Sequence, residues 1–177
     1  MTTQTPIHDV IRSLEGLGLK VTFCEKNENV PFDVAIASLG LDEKNRPLTL
    51  QVQQYSQNIV TALAEVAEGT ESQSTDLQML GFLLTVPIDI PQETVPEVLR
   101  LLALANKSFP LGALNFSEIE KAVYFSYGYP VFSTPPDDMT ILMIINTILF
   151  AKDSFFPTID EVASARQTVD TLIGEKG

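Results

Sequence analysis

The 177-residue sequence contains no tryptophan, one cysteine and one histidine. Each shortage removes a class of chemistry. With Cys24 alone there can be no intramolecular disulfide and no thiolate zinc site, and a reducing compartment is expected. With His8 alone there is no histidine pair for a metal. Its position opposite the apolar stripe of an N-terminal helix favours a solvated histidine over a general base. Cys24 adjoins a strand of alternating character, so a small, half-buried hydrophobe is expected there and not a reactive thiol. Positive charge is scarce as well, with 11 Lys and Arg against 23 Asp and Glu and a net charge of −12. Such acidity suits neither a phosphate backbone nor an anionic lipid surface, so neither nucleic acid nor membrane is expected as a partner.

Phosphate-cradling glycine loops are missing too. Gly16-Leu-Gly18 lacks the third glycine of a dinucleotide loop and precedes a strand instead of following one; no Walker loop or Gly-x-Ser-x-Gly elbow occurs. No cofactor, no metal and no catalytic residue is expected. Met1 to Pro6 has neither the charged nor the apolar segment of a secretory signal, which leads to the expectation of a cytoplasmic protein.

What is present is apolar: 45% of the residues are hydrophobic, enough for a substantial core in a single domain over residues 1–177. Ile7 to Leu17 has helical spacing (Ile7, Val10, Ile11, Leu14), with Pro6 at its first turn and Gly16 and Gly18 at its end. Strands are expected at Leu19–Glu25, Phe32–Leu39 and Leu48–Tyr55, the last two joined by the charged turn Leu41–Pro47. Ser56–Ala67 has weaker helical spacing, and 68–75 is a polar loop. The continuous apolar run Leu77–Ile88 predicts a central strand covered on both faces. Glu93–Phe109 predicts a helix starting near Thr94, because Pro96 is tolerated only in a first turn, with Val95, Val98, Leu99, Leu102, Leu104 and Ala105 facing inward. Leu114–Phe116 and Val123–Tyr129 form a hairpin around Ser117–Lys121.

The dominant stretch is Met139–Ala151, apolar at nearly every position and capped by Asp137 or Asp138 after Pro135-Pro136. A helix apolar on all sides is normally covered on more than one side. One side can lie on the chain's own sheet, which leaves Met139, Met143, Ile144 and Phe150 as candidates for a dimer or partner interface. The stretch falls short of the about 20 apolar residues needed to span a bilayer. Pro157 should break or kink the helix, with Thr158–Glu161 restarting it. The whole order predicts an α+β fold, a mostly antiparallel, twisted sheet of five to six strands with helices packed on one face.

Three strings, Leu101-Leu-Ala-Leu-Ala-Asn106 with Phe109-Pro-Leu-Gly112, the strand pair ending in Tyr127, and Phe155-Phe-Pro-Thr-Ile-Asp-Glu-Val162 after an apolar helix, resemble the YbjN-type family. Its fold is like that of the type III secretion chaperones. The resemblance spans about Leu77 to Ala165. It implies a chaperone-like fold and a dimeric, enzymatically silent protein-binding or regulatory role, and it carries over no functional residues.

Carboxylates are the remaining source of chemistry. Asp137-Asp138, Glu118 with Glu120, and Asp160-Glu161 read as helix caps or turn solvation. Asp33 and Asp89 lie by strand ends with nothing in the spacing to pair them. Tyr124, Tyr127, Tyr129 and Phe132 have no basic cluster beside them for base stacking, so packing is expected of them. The leading expectation is a non-enzymatic, chaperone-like protein-binding module acting as a homodimer with a further protein partner. The alternative is a small-molecule-binding protein or a carboxylate-based hydrolase with a polar cleft between sheet and helices.

Overall fold

A computed structural model describes residues 5–28, 30–55, 78–131 and 134–174. The expected helix at Ser56–Ala67, the loop 68–75 and Phe132 lie outside the described residues. The fold is α+β, a six-stranded antiparallel open sheet with helices. Strands β1 (Val21–Cys24), β2 (Asp33–Leu41), β3 (Pro47–Tyr55), β4 (Gln78–Thr85), β5 (Ala113–Ser117) and β6 (Ala122–Val131) lie in the order β1-β2-β3-β4-β6-β5. The helices are α1 (Pro6–Gly16), α2 (Val95–Ala105), α3 (Asp138–Ala163) and α4 (Val169–Gly174). The chain divides into two compact units, one of Met1–Leu39, Thr49–Phe82 and Gly128–Met143, the other of Gly40–Leu48, Leu83–Tyr127 and Ile144–Gly177.

In the first unit, α1 buries Ile7, Val10 and Leu14 completely, the face its spacing announces. Gly18 ends it at φ +82, where its N–H reaches Glu15 O and that of Leu19 reaches Leu14 O, a Schellman closure that needs a left-handed residue. Gln54 on β3 accepts the Ile7 N–H at 3.0 Å and so satisfies one of the orphan donors of the first turn. β1 pairs antiparallel with β2, Val21 opposite Ala37 and Cys24 opposite Val34. On β4, Leu80 and Phe82 are fully buried, and the strand lies inside the sheet between β3 and β6.

In the second unit, Pro96 sits in the first turn of α2 and Thr94 precedes it. Val95, Val98, Leu101, Leu102 and Ala105 are buried. Leu99, expected inside, is 43% exposed, and Leu101 takes its place. Leu99 is one turn from Val95 and Leu101 one turn from Val98, and only the direction of the helix against its support separates them. The Asn106 and Gly112 strings have structural causes. The Asn106 side chain donates to Leu114 O at 3.0 Å and accepts the Leu114 N–H at 2.8 Å, so a side-chain amide ties the end of α2 to β5 as a strand would. Gly112 has φ +81, and a Cβ there would lie 2.5 Å from Phe125 Cζ and 2.8 Å from Ser126 O. The hairpin forms as expected, Leu114 opposite Phe125 and Phe116 opposite Val123.

Helix α3 is capped by Asp137, whose Oδ1 accepts the Thr140 N–H at 2.7 Å; the Thr140 side chain, and then this backbone bond, hold the Asp137 carboxyl below its usual range. Pro157 does not break it, and no restart occurs at Thr158: the helix runs on to Ala163 with Pro157 inside. Proline removes one helical N–H bond and clashes with the preceding turn, at a cost of about 3 kcal/mol. Phe156, Ile159 and Val162, each at most 3% exposed, flank it and offset that cost by their burial, each contributing about 1.5–3 kcal/mol.

Candidate functional site

α3 has one outward face. Ile141, Ile145, Ile148, Ala151, Phe156 and Ile159 are buried, whereas Met139 (64%), Met143 (63%) and Phe150 (58%) are exposed. At 100° per residue the exposed three fall within roughly 40° of one line along the helix. Ile144 is only 2% exposed and belongs to the core, so it is no surface candidate. The sequence cannot separate Met143 from Ile144, because adjacent apolar residues on an all-apolar helix give no period. The uninterrupted helix is 26 residues long and, by length and composition alone, apolar enough to cross a membrane. The expectation of a stretch too short to do so counted only the apolar run Met139–Ala151, whereas the helix continues to Ala163.

One cleft in the second unit is ionic, about 180 Å³, and lined by Lys44, Lys152, Val86, Phe156, Pro157 and Asp160. Its charges come from the β2–β3 turn and from α3. Asp42 Oδ1 accepts the N–H groups of Lys44 at 2.9 Å and Arg46 at 2.8 Å, and its Oδ2 takes the Arg46 guanidinium at 2.7 Å. Asn45 supplies the left-handed position of this turn, at φ 59. Asp160, read from sequence as part of a helix start, instead meets Lys44 at 2.5 Å and Arg46 at 2.9 Å. The buried Oδ2 of Asp160 is thereby paired by charge with two cations, with no aligned hydrogen bond of its own. Burial pushes both carboxyls up, but Lys44 and Arg46 outweigh it and hold Asp42 and Asp160 below the usual carboxylate range. Lys152 pairs with Asp153. These acids stay ionised against fixed cations, the opposite of a general acid, which needs a raised pKa. The sequence shows the charged turn, but nothing in it names Asp160 as the partner.

Another cleft is an apolar groove of about 500 Å³ bounded by α2, α3 and α4. Leu101, Ala105 and Val169 form its buried floor; Leu104, Phe155 and Leu172 are half-buried along its sides, and Ser108 is its one polar residue. Phe155 continues the groove into an aromatic cluster. The Phe109 ring lies 5.1 Å from Phe155, 5.1 Å from the buried Phe125 and 6.5 Å from the exposed Phe150. This cluster is what the Phe109-Pro-Leu-Gly112 string places, and it joins Phe150 to the groove.

The remaining candidates are dispersed. His8 is exposed, 2.7 Å from Thr5 Oγ1 and stacked obliquely on Phe23 at 5.1 Å. Cys24, expected half-buried, is exposed on the edge strand β1, whose outer face alternates to solvent. Asp33 accepts the Lys26 N–H, and Asp89 is exposed. Among the described residues no cluster of His, Cys, Asp and Glu could hold a metal ion. No protein-family model matches the chain, and no curated protein matches it in sequence.

Proposed function

We propose that this chain is a non-enzymatic, chaperone-like binding module that holds an apolar segment of another protein against its second unit, and that it works as a homodimer. The observation that carries the reading is the apolar groove of about 500 Å³ continuing through Phe155 and Phe109 to the exposed Phe150. Soluble chains seldom leave so continuous an apolar surface open unless it binds something. Recognition of a helix by its apolar face in such a groove is a recurrent mode. The likeness of the Asn106, Phe109–Gly112 and Phe155–Val162 strings to the YbjN-type family supports a chaperone-like role. Met139, Met143 and Phe150 along the outer line of α3 supply the self-association face. The hydrolase alternative finds less support, since the acids of the ionic cleft are held low by Lys44 and Arg46.

The test uses the tagged chain and the variant Leu104→Asp, recovered from native cells, with circular dichroism confirming that both fold. The reading requires a stoichiometric protein partner with the parent chain and its loss with Leu104→Asp. Equal recovery from both would remove the groove from the account.

A further inference from the structure

Helix α4 has six residues, far fewer than a helix needs to persist by itself in water, so its seat on α2 creates it. The seat consists of one apolar anchor and two polar contacts. Val169 is fully buried, its N–H donates to Glu97 Oε2 at 3.0 Å, and Asp170 Oδ1 meets the Arg100 guanidinium at 2.5 Å. Glu97 also faces Arg100, at 3.7 Å, and so holds the guanidinium toward the seat. The ion pair is open to water, with Asp170 77% exposed and Arg100 44% exposed, and pairs of that kind hold weakly. Beyond Val169 the fit is poor. Leu172 and Ile173 border the groove of about 500 Å³ without filling it, and Ile173 is half-exposed. A tight intramolecular helix would close that space, whereas α4 lines one wall of it and leaves it open.

We propose that α4 is a displaceable stand-in for a partner's helix. Resting on the protein-binding reading above, this names the partner's chemistry: an amphipathic helix with an apolar residue in its first turn, an acid next to it for Arg100, and larger apolar residues three and four positions on. Val169, Asp170, Leu172 and Ile173 spell that pattern within the chain itself. Attachment in cis gives α4 a high effective concentration, so weak contacts keep the α2 seat beside the open groove guarded. A partner helix that brings the same acid to Arg100 and fills the remaining groove gains contacts α4 lacks, and replaces it. The guard screens out apolar segments that carry no such acid.

The probe is a fluorescent peptide of the sequence Ser164–Gly174, titrated by anisotropy against the full chain in three forms. The parent chain, its α2 seat taken by α4, is expected to bind weakly. Asp170→Arg, whose own α4 is repelled by Arg100, should bind the peptide at least tenfold more tightly. Arg100→Asp combined with Asp170→Arg restores the cis pair and repels the peptide's acid, so binding returns to the parent level or below. Amide exchange at Leu172 and Ile173 should accelerate in Asp170→Arg and recover in the double variant. Equal peptide affinity for the parent chain and Asp170→Arg, or α4 amides as protected in Asp170→Arg as in the parent, overturns the stand-in. Loss of partner capture in Leu104→Asp alongside either result would leave the groove reading standing without the guard, so the two failures are distinct.

Discussion

The replacement Asp160→Asn tests the ionic cleft. Asp160 touches two cations of different exposure, the Arg46 side chain at 21% and Lys44 at 48%. A fully buried charge stripped of its only partner costs about 3–5 kcal/mol, and an exposed pair about 0–1 kcal/mol. Arg46 retains Asp42 at 2.7 Å, so it is not stranded, and Lys44 can turn to water. The expected loss at pH 7 is therefore about 2 kcal/mol, most of it from Arg46. Lys44→Met should cost less than about 1 kcal/mol. The effect must depend on pH with a definite sign. Asp160 and Asp42 are held low in the folded chain, so their stabilisation is complete above the unfolded carboxyl pKa of about 3.9 and is lost as pH falls through the lower folded value. The difference between parent and Asp160→Asn should stay level from pH 7 to about 5 and shrink below about 4. With no tryptophan in the chain, far-UV circular dichroism follows the unfolding, and urea replaces guanidinium so that charges are not screened. A difference as large at pH 3 as at pH 7 would falsify the charge argument and leave only packing.

Four further outcomes follow from single contacts. Gly112→Ala combines a left-handed backbone with a Cβ 2.5 Å from Phe125 Cζ and should lower stability by about 3 kcal/mol or more in urea; a change under 1 kcal/mol would show that the turn moves freely. Asn106→Ala strands both backbone groups of the buried Leu114 and should cost about 2 kcal/mol, with faster amide exchange at Leu114 as the local sign. Ala165 closes α3 at φ 56, with the Arg166 N–H on Glu161 O, so Ala165→Gly should raise stability by about 0.5–1 kcal/mol; a loss would mean that chain entropy outweighs the relief. In sedimentation at micromolar concentration the parent chain should run as a dimer, and Met143→Asp with Phe150→Asp as monomer; a parent chain that sediments as a strict monomer removes the homodimer, and an unchanged dimer in the variant moves its interface elsewhere.

The sequence by itself determined whatever is carried by neighbouring residues. The period of Ile7, Val10 and Leu14, the proline in the first turn of α2, the apolar run of β4 and the turn chemistry at Ser117–Lys121 each bias a few dihedrals directly, so their elements stand where expected. Tertiary structure alone decided the rest, because those features depend on which distant surface an element meets. Helical spacing admits both Leu99 and Leu101, and both Met143 and Ile144, until a neighbour buries one of each. Pro157 is a helix breaker by local rule, overridden where Phe156, Ile159 and Val162 are held in a core. The two clefts are of the same kind. Asp42 and Asp160 meet across Arg46, and Val169 lines one groove with Leu101 and Leu104, only because the chain folds back on itself. Local sequence sets the charge and the apolarity of each partner, whereas the choice of partner is made by the packing that brings remote segments within a few ångströms.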